Sequence, residues 1–308
     1  MKFGVALESF TPPGKRPDIS LIAQTATLAD SLGFDSVWVW DHLLLGSKRV
    51  FSVLESITLL SSLALITKRV KFGVSTLILP LRDPVVLAKE LQTLSFLSNN
   101  RLILAVAVGW YHKEYEITGK PYSERGAIIE EYLEILRMLL SKSDINSTVR
   151  TRKFVHVTME PRVEGNLKIL MGGYTVLKRI AQKSDGWISF CYTPNDFEEA
   201  WDMIRRIAKE SGRLENDLTN VNIVPICVDN DSEKADRMIK QFVPQYMDFP
   251  TWSKSNIESS IKGSVDECVR QIERYESSGV KCLEFLPCAY DIGQVEIIGK
   301  EILPRFIK

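Results

Sequence analysis

The sequence predicts a (β/α)8 TIM barrel with insertions, and three observations favour this fold. Apolar strand-like runs alternate along the chain with segments whose apolar residues recur every three or four positions, as in amphipathic helices. Residues able to do chemistry follow two of the strands: Asp41 and His42 in GFDSVWVWDH, and Ser75 and Thr76 in GVSTLILP. Barrels of this class carry their functional groups at the carboxyl-terminal ends of strands, and 308 residues is an ordinary length for one such barrel.

Eight strands are predicted, each from a short apolar or β-branched run. They are Lys2–Leu7, Ser36–Trp40, a strand within Val70–Leu79, Arg101–Val108, Leu167–Met171, Gly186–Phe190, Val221–Val228 and Cys282–Leu286. Helices are predicted between them from their apolar periodicity. They are Ile19–Leu32, Ser52–Leu65, Val85–Leu97, Glu124–Ser141, Val176–Lys183, Asp196–Ser211, Ser232–Tyr246, Val265–Ser278 and about Gly293–Phe306. This repeated alternation favours a parallel barrel over an open sheet.

Three helix ends carry local signals. Asp18 is a candidate N-cap for the first helix, because a short acidic side chain accepts hydrogen bonds from the first-turn N–H groups. Gly33 follows the last turn of that helix, where a left-handed residue is common. Asp83 and Pro84 begin the third helix as an N-cap followed by proline at the first helical position.

Two stretches interrupt the alternation. Residues 142–166 are polar and β-branched without a helical period, and a hairpin is predicted over Thr148–Val157. Residues 247–262 are aromatic and polar. Since no linker, low-complexity segment or short-period repeat appears, residues 1–308 are predicted to form one barrel domain with insertions at about 142–166 and 247–262.

The composition is typical of a soluble globular enzyme, and a cytoplasmic location and a small-molecule substrate are predicted. Hydrophobic residues make up 45% of the chain, and 39 Lys and Arg balance 39 Asp and Glu. A neutral chain argues against nucleic acid or an anionic membrane as the main partner. No stretch reaches the length of a transmembrane helix. The five cysteines form no CxxC pair, so buried reduced thiols are expected.

Asp41 and His42 are the candidate catalytic residues. Histidine is the side chain best suited to proton transfer near neutral pH, and the chain has three of them. A neighbouring carboxylate fixes the orientation of an imidazole and stabilises its charged form. The alternative is that His42 only bonds a neighbouring loop.

Glycines at two strand ends are candidate cofactor-binding positions. Gly172 and Gly173 lie between a strand and a helix, where backbone N–H groups and the helix terminus favour a phosphate. The alternative is a tight turn with no ligand. Gly109 permits a close backbone approach, and Trp110 is expected to wall an aromatic pocket.

Other residues near these positions are expected to be structural. Glu114 and Glu116 are expected on a solvated helix face. Trp38 and Trp40 are expected to pack, one into the barrel and the other towards the helices. No metal site and no HExxH, GxSxG or P-loop motif is found, so a bound organic cofactor is expected to supply any difficult chemistry.

Several segments together resemble the bacterial luciferase-like monooxygenase superfamily, over nearly the whole chain. They are GFDSVWVWDHLLL, the run from RVKFGVSTLILP to NNRLILAVAVGW, EYEITGKPYSERG, LKILMGG and GSVDECVRQIERYESSGVKCLEF. The resemblance implies an α/β barrel with insertions that binds either FMN or the deazaflavin coenzyme F420. The DH pair at a strand end is more similar to the deazaflavin-using branch than to luciferase itself.

The resemblance also implies roles for particular residues. A non-proline cis peptide would join Ser75 and Thr76 behind the isoalloxazine ring, with Asp41 and His42 near its reactive edge. Gly109 would lie near the cofactor tail, and Gly172 with Gly173 would bind its phosphate. The sequence departs from the family pattern at two positions. Trp110 stands where sugar-phosphate dehydrogenases of the superfamily carry a catalytic glutamate, and Val108 where luciferase-type chains carry an arginine for the FMN phosphate.

The expected function is therefore redox chemistry at a bound coenzyme F420 or FMN. With the deazaflavin, hydride would pass between the cofactor and an aldehyde, alcohol or other carbonyl compound, with His42 moving a proton and Asp41 steering it. With reduced FMN, the substrate would be oxygenated. A homodimer is expected. The rival hypothesis is a non-catalytic flavin-binding barrel; a Schiff-base aldolase is disfavoured because Lys168 lies at the amino-terminal start of its predicted strand and not at the carboxyl end.

Overall fold

The computed structural model describes residues 1–46, 50–150, 152–165, 167–214, 217–247 and 255–306, without the side chains of residues 247 and 255. Parallel strands form a closed barrel at the centre of the structure, which confirms the predicted (β/α)8 fold. The barrel strands are β1 (Lys2–Ala6), β2 (Ser36–Val39), β3 (Lys71–Val74), β4 (Leu102–Ala107), β5 (Ile169–Gly172), β6 (Gly186–Phe190), β7 (Thr219–Val228) and β8 (Cys282–Pro287). Each pairs with the next, and β8 pairs with β1 to close the ring.

Helices surround the barrel and connect successive strands. Those in the described ranges are α1 (Ile19–Leu32), α2 (Ser56–Ala64), α3 (Pro84–Leu97), α4 (His112–Thr118), α5 (Arg125–Ser141), α6 (Leu177–Lys183), α7 (Pro194–Glu210), α8 (Ser232–Met247), α9 (Ser255–Glu258), α10 (Val265–Ser277) and α11 (Ile292–Ile297). The predicted helix ends are confirmed: the Asp18 and Asp83 side chains cap α1 and α3, and Gly33 is left-handed with φ of 92°. Helix α4 has seven residues and was not predicted from the sequence.

The second helix begins later than its apolar period predicts. Ser52–Val53 forms a short antiparallel strand with Phe10–Thr11, and α2 begins at Ser56. The Glu55 side chain accepts from the N–H groups of the next turn and so caps the helix here. The predicted start at Ser52 is therefore wrong, because a pairing with a distant segment overrides the local pattern.

The first insertion contains the predicted hairpin. Ile145–Val149 pairs antiparallel with Arg152–Val157 beside α5. In the second insertion, α9 is followed by a short strand, Ile261–Gly263, which pairs in parallel with β7. Residues 248–254 of that predicted insertion lie outside the described residues.

Large side chains from β2 fill the inside of the barrel. Trp38 is fully buried, and a Cβ atom on Gly73 of β3 would lie 2.1 Å from its ring. Trp40 follows two residues later and also points inward, at the mouth of the barrel. The expectation that the two tryptophans face opposite ways is wrong, because residues two apart along a strand share a face.

The five cysteines are free and buried, as expected for reduced thiols. None of the helices within the described ranges has the length and apolar character needed to span a membrane.

Candidate active site

A cavity of about 340 Å³ opens at the carboxyl-terminal ends of β2 to β6. Its volume falls within the roughly 300–1,000 Å³ that small-molecule sites occupy. All eight residues that the sequence analysis selected for a site line this cavity. They are Asp41, His42, Ser75, Thr76, Gly109, Trp110, Gly172 and Gly173. The barrel thus brings together residues that lie up to about 130 positions apart in the chain, as expected where parallel strands end at one rim.

The His42 imidazole is held by a buried glutamate. Nδ1 of His42 lies 3.1 Å from both carboxylate oxygens of Glu114, whose side chain is fully buried. The Glu114 carboxylate also accepts from the N–H of Leu43 at 2.7 Å and, more weakly, from the N–H of Leu44 at 3.4 Å. One carboxylate therefore holds both the ring and the backbone that carries it, which fixes the direction of the imidazole.

Helix α4 brings Glu114 into this position. Its next residue, Tyr115, is buried and donates its hydroxyl to the Val108 carbonyl just after β4, which ties the helix to the rim. The side chain of Glu116 points outward and is 61% exposed, where it meets His112. The expectation of a solvated face is therefore confirmed for Glu116 and wrong for Glu114. No local signal identifies Glu114, since its partners lie 70 to 72 residues earlier in the chain.

Asp41 does not contact the neighbouring imidazole through its carboxylate. One oxygen accepts from the N–H of Ile78 at 2.8 Å, and the other from Arg82 Nη2 at 2.7 Å and from Ser56 Oγ at 2.9 Å. Burial alone would lower the pKa of Arg82, but the carboxylates of Asp41 and Glu55 outweigh burial and raise that pKa. Glu114, and not Asp41, therefore orients the imidazole of His42. Asp41 instead connects the end of β2 to the segment after β3 and to the start of α2.

The floor of the cavity is the segment that follows β3. The peptide bond between Ser75 and Thr76 is cis, as the resemblance implied. The Thr76 methyl group faces β5, where a Cβ atom on Gly172 would approach it to 3.0 Å. Beneath the floor, Ser75 Oγ lies 2.8 Å from the carboxyl of Glu284, a fully buried residue of β8.

Glycines line the cavity where β4 and β5 end. Gly173 has φ of 146°, and a Cβ atom there would lie 2.5 Å from Cγ2 of Val176. Gly109, which follows the neighbouring strand β4, has φ of 72°, and its Cβ would lie 2.6 Å from Cγ2 of Ile78. Both positions therefore require glycine, which leaves peptide groups rather than side chains facing the cavity.

The walls are mostly apolar and aromatic. The indole of Trp110 meets the His42 ring edge-on, with 5.9 Å between ring centroids. Trp110 therefore forms an aromatic wall of the cavity, as predicted. Three aromatic residues that line the cavity were not predicted as site residues: Trp40 and Phe190, whose rings meet at 5.4 Å, and Tyr174. A signal was present for the first two, since each stands at the carboxyl end of a strand that the sequence predicts.

Comparison with known proteins places the chain in a family. The family described as luciferase-like monooxygenase matches residues 1–282. The F420-dependent glucose-6-phosphate dehydrogenase of Amycolatopsis mediterranei is 26% identical over 315 residues, covering 92% of this chain and 93% of that protein. An uncharacterized protein of Mycobacterium tuberculosis is 29% identical over 161 residues, 52% of this chain and 56% of that protein. The chain thus spans little more than half the length of that second relative.

Solved structures share the fold at low sequence identity. The monooxygenase RslO1 from Streptomyces bottropensis superimposes with a TM-score of 0.83 at 19% identity over 100% of both chains. An F420-dependent secondary alcohol dehydrogenase, solved with an F420–acetone adduct, gives 0.82 at 16% over 100% of this chain and 99% of that one. The oxygenating constituent of 3,6-diketocamphane monooxygenase from Pseudomonas putida, in complex with FMN, gives 0.81 at 16% over 100% and 99%.

Proposed function

The chain belongs to the luciferase-like monooxygenase family, and we propose that it is an oxidoreductase that acts on a small organic substrate at a flavin-type cofactor, coenzyme F420 or FMN. The observation that carries this proposal is the imidazole at the cavity. His42 is held through Nδ1 by Glu114, while its Nε2 has no hydrogen-bond partner among the described residues. A ring nitrogen held in this way is free to exchange a proton with a bound molecule.

The residues present fit a flavin-type cofactor. The cavity is lined by aromatic and apolar side chains, as a flat ring system requires, and two of its turns have main-chain paths that only glycine permits. We assign the ring to the region between the Ser75–Thr76 segment and Trp110. We assign the phosphate of the cofactor tail to the turn at Gly172 and Gly173. When bound there, such a cofactor supplies hydride exchange, or the activation of oxygen in the case of FMN.

The protein's own part in the reaction is to hold the substrate and move a proton. Nε2 of His42 would donate to, or accept from, the oxygen of an alcohol, aldehyde or other carbonyl substrate. Glu114 keeps the ring in one orientation, and the Asp41–Arg82 pair keeps the strand end beneath it in place. Trp40 and Phe190, which follow β2 and end β6, line the cavity with rings in contact and would help to exclude water from the reacting atoms. Support for this substrate class comes from the apolar walls and from the relatives named as an alcohol and a sugar-phosphate dehydrogenase.

Both cofactors remain within the proposal, and a titration separates them. The protein is titrated with FMN and with coenzyme F420 while the visible absorption of each is followed. We expect saturable binding of one of them, followed by turnover when alcohols are added with the oxidised cofactor, aldehydes with the reduced cofactor, or, for FMN, substrate and oxygen with reduced FMN. Binding without turnover on any substrate, with oxygen present or absent, would favour the non-catalytic flavin-binding barrel. Binding of neither cofactor would overturn the proposal.

A cytoplasmic homodimer completes the proposal. The five free cysteines support a reducing compartment, and the dimer rests on the resemblance to the family. Light scattering of the purified chain measures its mass directly, and a monomeric mass at all concentrations would contradict the dimer.

A further inference from the structure

Glu284 occupies an unusual position for an acidic residue. It lies in the middle of β8 and is fully buried. Its neighbour across the β7–β8 pairing, Ile223, lines the cavity, so Glu284 shares that inward face. On its other side β1 contributes Gly4, which has no side chain to compete for the space. The carboxyl group therefore extends across the inside of the barrel, beneath the cavity floor, towards β3.

The Glu284 carboxyl has one hydrogen-bond partner among the described residues. Oε1 lies 2.8 Å from Ser75 Oγ, and Oε2 has no hydrogen-bond partner in the described parts of the chain. No ion pair within those parts involves Glu284. An ionised carboxylate in such surroundings is strongly disfavoured, because one hydroxyl replaces little of its hydration. Burial accordingly raises the pKa of Glu284 well above its usual value, more than the Ser75 hydrogen bond lowers it.

A neutral carboxylic acid sets the direction of this hydrogen bond. The acid has one O–H group that needs an acceptor, and Ser75 Oγ is the acceptor within reach. A buried donor without a partner is less well tolerated than a carbonyl oxygen without one. The acid therefore donates to Ser75 Oγ, and Oε2 is left as the unpaired carbonyl. The Ser75 hydroxyl keeps its own proton, which is then available to a second acceptor.

We propose that Glu284 is a positioning residue of the cavity, which stays protonated in the folded chain, donates to Ser75 Oγ and thereby directs the Ser75 hydroxyl proton to an acceptor atom of the ligand. Ser75 lines the cavity, so its hydroxyl can donate to a ligand that lies on the cavity floor. The acceptor would be a carbonyl oxygen or a ring nitrogen of that ligand. This last step rests on the proposed function, since it takes the ligand to be a flavin-type cofactor or its substrate. The protonation of Glu284 does not depend on any ligand.

The first test uses the ligand-free protein and the variant Glu284→Gln. A carboxyl that is protonated when folded but ionised when unfolded, above about pH 4.3, takes up one proton on folding. Its contribution to stability is therefore present at low pH and is lost as pH rises towards the folded-state pKa. Relative to the variant, the parent's unfolding equilibrium constant should rise about tenfold per pH unit from about pH 5 upwards, until the folded-state pKa of Glu284 is reached. Cys282 and Tyr290 interact electrostatically with Glu284, but burial raises the pKa of each, so both stay neutral near neutral pH.

An infrared difference spectrum of the same two proteins gives a second ligand-free result. The parent should show a carboxylic-acid C=O band at pH 7 that is absent from Glu284→Gln. A flat ratio of unfolding constants, or the absence of this band, would overturn the proposal. Neither measurement depends on whether the chain is an oxidoreductase.

The third measurement concerns the ligand. Affinity for FMN and for coenzyme F420 is compared in the parent and in Glu284→Gln, Glu284→Leu and Ser75→Ala. Glutamine still donates to Ser75 Oγ, so its affinity should stay within about twofold of the parent. Loss of one hydrogen bond in Glu284→Leu or Ser75→Ala should weaken binding by roughly two- to tenfold. Both substitutions act through the same hydrogen bond from Ser75 to the ligand. The double variant Ser75→Ala/Glu284→Leu should therefore bind the cofactor no more weakly than Ser75→Ala alone.

The outcomes separate two failures. An equal loss in the Gln and Leu variants, or additive losses in the double variant, would overturn the positioning role while leaving the proposed function intact. If Glu284→Leu does not fold, the comparison of Glu284→Gln with Ser75→Ala still decides it, and equal losses there count against the role. If the parent binds neither cofactor, the proposed function and the donation to the ligand both fail. The two ligand-free measurements then still decide the protonation of Glu284.

Discussion

The two sides of the cavity are built from different parts of the chain. On the β2 side, side chains face the cavity, and each is held by a partner far away in sequence: His42 by Glu114, and Asp41 by Arg82. On the β5 side, main chain faces the cavity at Gly172 and Gly173, and the atom that makes glycine necessary at Gly173 belongs to Val176, three residues later. The first side is assembled by tertiary contacts and the second by local geometry.

This difference agrees with the function that we propose for each side, which is proton transfer on the β2 side and phosphate binding on the β5 side. Proton transfer needs one titratable ring in a fixed direction, which takes a second side chain to hold it. Binding an anion through peptide N–H groups needs only a bare backbone of the right shape. Variants on the two sides should therefore fail differently, in turnover on the β2 side and in cofactor affinity on the β5 side.

The largest effect is expected from His42→Ala. If Nε2 exchanges a proton with the substrate, kcat should fall by about 100-fold while cofactor affinity changes by less than about threefold. Steady-state kinetics together with a cofactor titration measure both quantities. His156→Ala is the matched control, because His156 lies on the exposed hairpin beside Asp144, and it should leave both unchanged. Equal losses of turnover and affinity would reduce His42 to a structural residue.

Asp41→Asn should damage stability more than any other change on this side. It leaves the Arg82 guanidinium, whose side chain is 15% exposed, without its buried charge partner, and should lower the free energy of unfolding by about 2 kcal/mol. Denaturant unfolding measures this change. Asp202→Asn removes the exposed ion pair with Arg205 and should change stability by less than about 0.5 kcal/mol. If the Asp41 variant keeps its stability yet loses turnover as His42→Ala does, Asp41 acts in catalysis directly.

The β5 side is tested by Gly173→Val. The new Cβ would sit 2.5 Å from Val176, and φ of 146° is unfavourable for valine, so the turn must move away from the position that we assign to the phosphate. Affinity for FMN or coenzyme F420 should fall about tenfold, while affinity for riboflavin, which lacks the phosphate, should change much less.

The variant Gly212→Val is the control for backbone strain in the Gly173→Val experiment. Gly212 has φ of 77°, follows α7 and has open space around its Cβ, so Gly212→Val strains the backbone away from the cavity. It should leave the affinity of both ligands unchanged. If Gly173→Val weakens riboflavin as much as FMN, the phosphate does not bind at this turn.

The same difference between local and distant contacts explains what the sequence could predict. Strand ends, caps such as Asp18 and Asp83, and the two glycines are identified by residues within a few positions of each other, and the structure contains all of them. The placement of eight selected residues around one cavity follows from the barrel itself. The cis bond between Ser75 and Thr76 was expected only from the resemblance.

What could not be predicted depends on partners that are distant in the chain. Glu114 and Glu116 are two positions apart on one short helix, and nothing in their neighbours tells which one will meet a ring 72 residues earlier. The Ser75–Glu284 contact spans 209 residues across the barrel, and it too has no local signature. A side chain's charge state depends on such contacts, so the chemistry of a site is predicted less well than its location.

The smallest effect is expected from Glu114→Gln, and it tests whether Glu114 only orients the ring. Glutamine keeps an acceptor oxygen for the Leu43 N–H, so the backbone contact and the fold should survive. The amide removes the negative charge and half of the acceptor capacity facing Nδ1, so the imidazole would be held less firmly. We expect kcat to fall by roughly three- to tenfold with KM and cofactor affinity unchanged, well short of the loss in His42→Ala. Glu116→Gln, on the exposed face of the same helix, should have no effect on kcat. A loss in Glu114→Gln as large as that in His42→Ala would mean that the carboxylate itself takes part in the proton transfer, and the β2 side would then act as a pair rather than as one held ring.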